Sequence, residues 1–419
     1  MGNGNRWGIA AAGFLMQMAL GAVYAWSVFR TPLIERFHWT NPQVTMTFTI
    51  CIFVCGFSAF LGGLWLNKHG PRPVVLTGGF LYGLGVFLAG FSSNGLWWLY
   101  LSYGFIGGLG LGAGYIVPVA VLVKWFPDRR GLITGIAVGG FGAGALVTAP
   151  LATKLIHDVG VLHTFAYLGI AYLVVTMSAG MFLRNPPAGW APEGWTPSAS
   201  LAAQRSTVDY KLGGALRTWQ WWALWLVLFL NVSAGITLIS QEAPIFREIA
   251  KVSAIEAGVM VGIVAIGNGV GRIFWAAASD MITRRWTFVV MFLIQVVLFW
   301  IMPDLPSRTT LTVVAFVILM CYGGGFGTMP AFAADYFGSK NIGPIYGLMI
   351  TAWGFGSTFT PLLIAHLRES SGSFTTGLHI ISGIMAASTV LPLVIRPPRA
   401  KQPAENSIVG HVPSPAPSR

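Results

Sequence analysis

Arg272 is the residue whose type and setting most demand a chemical explanation. It lies in the run VGIVAIGNGVGRIFWAAAS. The chain holds 25 Lys and Arg and 13 Asp and Glu. Sorted by position, Arg272 alone falls in the middle of an apolar segment long enough to cross a bilayer. A charge there costs about 2.5–3.5 kcal/mol on insertion scales, so it marks a functional site by default. No acid falls in the core of such a segment to pair with it. Asp280, eight residues on, sits about two helical turns away at the segment's end. The missing counter-ion is then a substrate anion, and a planar guanidinium fork fits a carboxylate bidentately. The alternative is an arginine bonded to the backbone carbonyls of a neighbouring helix.

Asn268 stands four residues before Arg272 and shares its helix face. Its amide either orients the guanidinium, bonds the substrate, or makes a structural bond between helices. Gly267, Gly269 and Gly271 thin the same stretch, leaving room for a ligand or for a closely packed helix. His379 is a second titratable group in an apolar segment. It reads either as a proton-coupling residue, since histidine titrates near neutral pH, or as a satisfied structural histidine.

The elements that must position these groups are membrane helices. The chain has 419 residues, 55% apolar and only 9% charged, against about 25% charged in soluble domains. Twelve apolar stretches of about 20 residues begin near Trp7, Val44, Val74, Leu96, Leu132, Phe165, Trp221, Ala257, Trp286, Leu311, Ile345 and Thr376. The first run is too long for a signal-peptide core. Small residues spaced four apart, as at Gly108 and Gly112 or Gly140 and Gly144, predict close helix–helix approach.

The net charge of +12 reports topology rather than nucleic-acid binding. With the N-terminus inside, 17 Lys and Arg fall on the cytoplasmic side and seven outside. The positive-inside rule then places both termini in the cytoplasm. Cys51, Cys55 and Cys321 show no metal spacing. No catalytic set, cofactor site or nucleotide motif appears. GGLGLG near Gly107 lies within a span and lacks the strand that a dinucleotide loop needs. An enzyme, a nucleotide-driven pump and a nucleic-acid binder are disfavoured, and short loops disfavour a sensor.

The stretch 185–218 is rich in Pro, Gly and Ser and reads as a linker. It divides a first bundle, 1–184, from a second, 219–396, with a disordered tail over 397–419. The bundles repeat each other. Pro118 and Pro330, Gly135 and Gly347, and Gly140–Phe141–Gly142 and Gly354–Phe355–Gly356 match at offsets of 212 to 214. Parallel six-helix repeats of this kind place a substrate site at the midplane between them. The expectation is an all-α integral membrane protein of twelve helices in two six-helix pseudo-repeats.

Two loops carry a family resemblance. GLWLNKHGPR, residues 63–72, and AAASDMITRR, residues 276–285, both resemble the G-x-L-a-D-x-x-G-R-K loop of the major facilitator superfamily. The resemblance implies a conformational latch at Asn67, Arg72, Asp280, Arg284 and Arg285. Its acid packs against a helix N-terminus, which attracts anions, and Asn67 replaces the usual Asp in the first copy.

Within that superfamily, Asn268–Gly269–Val270–Gly271–Arg272, the pattern Gly21, Tyr24, Trp26, Ser27, and the loop WFPDRRG at 125–131 resemble the oxalate/formate antiporter and monocarboxylate transporter branch. The resemblance implies that Arg272 binds the substrate carboxylate. It also implies an aromatic cavity of Tyr24, Tyr115, Phe141, Tyr322 and Phe326, each of which on its own reads equally as packing. Trp353 stands where the oxalate antiporter has a second cation. One cation suits a monoanion, so lactate, pyruvate, acetate or formate is favoured over oxalate. The Lys and Asp of the animal proton relay are both replaced here. The expected protein is a monomeric, multi-pass inner-membrane carrier of a small carboxylate with a proton, in contact with the lipid bilayer; the alternative is an exchanger.

Overall fold

The computed structural model describes residues 5–187, 189–196, 209–305 and 307–398. Part of the expected linker and the tail from 399 onward lie outside these residues. The described chain is helical, without strands. Eleven of its helices are long and apolar enough to cross a membrane. They are α1 (Arg6–Phe37), α2 (Pro42–His69), α3 (Pro71–Ala89), α4 (Leu96–Trp125), α5 (Arg130–Val159), α6 (Val161–Phe182), α7 (Trp219–Ile249), α8 (Ala254–Ile282), α9 (Arg284–Ile301), α10 (Arg308–Phe337) and α12 (Phe374–Val394). The remaining expected span, α11, comes in two pieces, Ile342–Met349 and Thr351–Ser371, parted at Ile350. Helices are forced here because a bilayer offers the backbone no hydrogen-bond partners.

Local signals end these helices. Thr40 and Gln43 form a capping box at the start of α2, with Pro42 in the first turn. Ser253 and Glu256 do the same for α8. Between α2 and α3 the chain reverses at Gly70, whose φ of 81° suits glycine, and Pro71 opens the next helix. Other spans are irregular too: α1 tightens into a 3₁₀ turn over Ala22–Ala25, which carries Tyr24, and α4 widens into a π-helix over Tyr100–Gly107.

Three ties place the chain start, the linker and the end of α12 on one face. Arg6 pairs with Asp128 at 2.8 Å. The Tyr210 N–H donates to the Phe337 carbonyl at 2.9 Å, and the Tyr336 hydroxyl to the Ile395 carbonyl at 3.1 Å. We call this the linker face. The small-residue spacings bring helices together as expected. A methyl at Gly112 would lie 2.2 Å from the Cys55 carbonyl oxygen, and one at Gly144 would lie 2.3 Å from that of Met18. These glycines set α4 on α2 and α5 on α1.

Burial adds two acids near span ends to the expectation that none lies in a span core. Glu242 on α7 is 4% exposed, and Asp335 on α10 is also buried. Both sit near span ends, where sequence alone suggests solvent.

Candidate functional site

Arg272 lies in the midst of the bundle and is 1% exposed. Its Nε donates to Asn268 Oδ1 at 3.2 Å, one helical turn earlier on α8. Its Nη1 donates to the Val138 carbonyl of α5 at 3.3 Å, and its Nη2 to the Tyr24 hydroxyl of α1 at 3.3 Å. A guanidinium has five N–H groups, so these bonds leave one N–H on each η nitrogen. Among the described residues no carboxylate forms an ion pair with Arg272.

Aromatic faces stand in for the missing charge. The guanidinium carbon lies 5.0 Å from the Phe326 ring centre, 5.6 Å from Phe141 and 5.9 Å from Tyr24. Desolvated cation–π contacts of this kind are worth about 2 kcal/mol each. Trp353 closes the cage edge-on, 5.4 Å from Phe326 and 6.1 Å from both Tyr24 and Phe141. It sits three residues past the break in α11. Tyr115 packs on Phe141 at 5.4 Å and faces the Tyr346 hydroxyl at 3.5 Å. Tyr322 packs on Phe326 at 5.3 Å. Its buried hydroxyl lies close to the side chains of Tyr24 and Trp353. All eight residues expected around the substrate are therefore brought together, from both halves of the chain. Tyr346 joins them and was not anticipated.

The three glycines divide their work. A methyl at Gly267 would lie 2.6 Å from the Phe316 carbonyl oxygen and one at Gly271 2.1 Å from that of Met320. These two seat α8 on α10. Gly269 faces α5 instead, where the nearest atom to an added methyl is Gly142 C, 3.9 Å away. It keeps room between the halves.

On the linker side of the cage, charges tie the halves together. The Asp280 carboxylate accepts from the N–H groups of Gly131 (3.0 Å) and Leu132 (2.9 Å), in the first turn of α5. An anion there completes unpaired donors at the positive end of the helix dipole. Arg284 bonds Asp280 at 2.6 Å and Asp335 at 3.0 Å, and Arg130 reaches Asp335 at 2.9 Å across the halves. Asn67 donates to Asn341 Oδ1 at 2.8 Å, also across the halves. The Thr134 hydroxyl donates to the Gly327 carbonyl at 2.7 Å.

This doubled loop and its helix-capping acid agree with the sequence comparison. The profile of the Major Facilitator Superfamily matches residues 8–268 and 233–418. The chain belongs to the major facilitator superfamily. It is a transporter of that superfamily and not an enzyme. It is 27% identical to the oxalate:formate antiporter of Oxalobacter formigenes, over 94% of this chain and 93% of that protein. It is 26% identical to monocarboxylate transporter 2 of Rattus norvegicus, over 93% of this chain and 82% of that protein. Among solved structures it resembles the major facilitator transporter FucP in its outward conformation, with a TM-score of 0.72 at 15% identity, covering 92% of this chain and 97% of that one.

Other residues singled out from the sequence stand apart from the cage or the latch. His379 stacks on Trp300 at 4.3 Å, and its Nε2–H donates to the Trp300 carbonyl at 3.1 Å. This is a contact between α9 and α12, not with Arg272. Arg285 donates to the carbonyls of Pro392 and Leu393 at the end of α12. Arg72 lines an apolar groove of about 760 Å³ with residues of α1 and α6 and with Arg184. That groove lacks the polar groups converging on one point that the cage supplies. Arg130, Asp335 and Asn341 belong to the ties between the halves and were missed. The signal for Arg130 was present, because it lies in WFPDRRG. Asp335 and Asn341 sit at the mouth of a span, where partners distant in sequence, Arg130 and Arg284 for the one and Asn67 and Tyr210 for the other, engage them.

Proposed function

We propose that this protein carries small monocarboxylates, lactate- or pyruvate-like, together with a proton, by alternating access, and that Arg272 binds the carboxylate. The observation that carries this reading is a guanidinium caged by aromatic rings with two N–H groups to spare and no acidic partner among the described residues. A carboxylate would take those two donors as a charge-assisted pair. The aromatic rings would hold an apolar tail, and the Tyr322 hydroxyl, beside Tyr24 and Trp353, would serve a second polar group. Trp353 offers no charge for a second carboxylate, which favours a monoanion.

The excess of Lys and Arg on the linker face supports placing that face in the cytoplasm of an inner-membrane protein. The polar ties between the halves lie at the level of Arg272 or toward that face. The conformer is then closed inward and poised to receive substrate from outside. Alternating access follows when the latch at Asp280 opens as the far ends of the halves close. The protein acts as a monomer, because both halves of the site come from one chain.

The test is uptake of labelled L-lactate into proteoliposomes, with and without an inward proton gradient, for the wild type and Arg272→Gln. Gradient-driven uptake that the mutation abolishes is the expected result. Exchange against a preloaded acid with no response to the gradient would make the protein an antiporter, as the named Oxalobacter relative is. No flux of any short monocarboxylate would overturn the substrate reading.

A further inference from the structure

An arginine does not release its proton, His379 is held outside the cage, and the cage offers no carboxyl group. Yet a proton-coupled cycle needs a group that binds a proton on one side and releases it on the other. One buried carboxyl in the membrane bundle has no role in the site described so far: Glu242 of α7. It is 4% exposed and its Oε1 meets no hydrogen-bond partner.

Its position follows from helix geometry. A methyl at Gly235 would strike the ring of Tyr322 at 2.3 Å, so this face of α7 rests on the cage. Glu242 is seven residues later, which is within about 20° of the same face and about 10 Å further from the linker face. Asn231, one turn before Gly235, donates to the Cys321 carbonyl of α10 at 3.2 Å, and Leu238 between them is fully buried. Asn231, Gly235, Leu238 and Glu242 thus form one stripe on α7, running from the cage toward the far end.

Several charged groups among the described residues around the outer half of α7 are engaged elsewhere. Arg368 of α11 bonds Glu248 at 3.2 Å. Glu248 also accepts from the Phe374 N–H and the Ser373 hydroxyl at the head of α12. Arg308 and Glu256, at the far ends of α10 and α8, pair at 2.8 Å. His379 bonds Trp300. Among the described residues none forms an ion pair with Glu242.

We propose that Glu242 is the proton-binding site of this transporter, and that with Arg272 it couples one proton to one monocarboxylate. The inference rests on the proposed symport. Both groups are already buried in this conformer, and a buried net charge is costly to carry through the cycle. The empty carrier with Arg272 charged and Glu242 ionised sums to zero. The loaded carrier also sums to zero: the carboxylate neutralises Arg272, and the proton, taken from the far side onto a carboxylate oxygen, neutralises Glu242. With only the anion bound the sum is −1, and with only the proton bound it is +1. Both half-loaded states are disfavoured during the crossing, which is the condition for strict coupling.

The experiment compares wild type, Glu242→Gln and Glu242→Asp in proteoliposomes with labelled L-lactate. Glutamine mimics the protonated acid. Glu242→Gln should still exchange external for preloaded lactate, because that half-cycle keeps the carrier loaded. Its gradient-driven accumulation should fall at least about tenfold, because the empty return then carries +1. Glu242→Asp should recover part of the accumulation. Infrared difference spectra across a pH titration supply a readout free of transport: the wild type should show a carboxylic acid C=O band that Glu242→Gln lacks. Accumulation by Glu242→Gln equal to wild type overturns the proposal, as does an unchanged infrared band. Loss of exchange and accumulation together, unrestored by aspartate, makes Glu242 a packing residue and overturns it too. If wild type moves no monocarboxylate, the substrate reading fails, and the infrared band still decides whether Glu242 binds a proton.

Discussion

Trp353→Lys is the sharpest test of what the cage selects. Trp353 and the Arg272 guanidinium pack on the same Phe326 ring, at 5.4 and 5.0 Å from its centre. A lysine ammonium at 353 would stand on the order of 8 Å from the guanidinium, and two like charges repel by about 2 kcal/mol at that distance with an effective dielectric of 20. A monocarboxylate on Arg272 leaves the ammonium unpaired. That repulsion is present in the empty cage as well as the loaded one, so it does not weaken a bound monoanion, and lactate affinity should not fall on charge grounds. A dicarboxylate such as oxalate gains a charge-assisted hydrogen bond worth about 1.5–3 kcal/mol, or about 10- to 100-fold. The ratio of lactate to oxalate affinity should therefore fall about 10- to 100-fold. The assay is competition by each acid against counterflow of a labelled monocarboxylate in proteoliposomes. A ratio within about threefold of wild type, in a variant that still exchanges, would refute the claim that charge count at this cage sets substrate valence.

Three further substitutions probe separate parts of the argument. Arg272→Lys keeps the charge but loses the planar fork and its bond to Asn268, so substrate affinity should drop about 10- to 100-fold in equilibrium binding. A change smaller than about threefold would mean the fork is not used. Asp280→Asn removes the charge that accepts two backbone N–H groups and Arg284, which should weaken the closed linker face by about 2–4 kcal/mol. In a Thr134→Cys background, thiol labelling from the linker face should then speed up at least about tenfold, and an unchanged rate would show that the latch lies elsewhere. Gly21→Ala places a methyl 1.8 Å from the Phe141 carbonyl oxygen. That overpacking should cost about 1–3 kcal/mol or more and lower the Tm of the detergent-extracted protein, and an unshifted Tm would show that α1 and α5 can part there freely.

Arg272 was legible because a bilayer penalises charge, so one cation in the middle of an apolar run stands out with no knowledge of its neighbours. The twelve spans were legible for the same reason, and the repeat offset followed from glycine and proline spacing. The cage aromatics emerged only through family resemblance, since in a chain with 28 Phe, 17 Trp and 11 Tyr aromatic character distinguishes nothing. The division of labour among Gly267, Gly269 and Gly271 was not legible either. Alternate residues of a helix face different ways, and which neighbour each one meets depends on how the bundle closes.

Acids near span ends show the same limit most clearly. Glu242, Glu248 and Asp335 all look interfacial in sequence. Glu248 is indeed paired near the surface. Asp335 pairs with Arg284 of its own half and with Arg130 of the opposite one, so parting the halves there removes one of its two partners. Glu242 is buried with no ion-pair partner among the described residues, so nothing in the linker-side latch compensates it. A charge bonded across the halves is part of a latch, whereas a buried carboxyl with no ion-pair partner among the described residues is carried through the cycle at lower cost when protonated. That distinction separates Asp280 and Asp335 from Glu242, and it predicts opposite phenotypes. Neutralising Asp280 should ease opening at the linker face and leave coupling to the proton gradient intact. Neutralising Glu242 should leave labelling of Thr134→Cys at the linker face unchanged while uncoupling transport. Measuring both properties in both variants tests the assignment, and a shared phenotype would show that the two acids belong to one network.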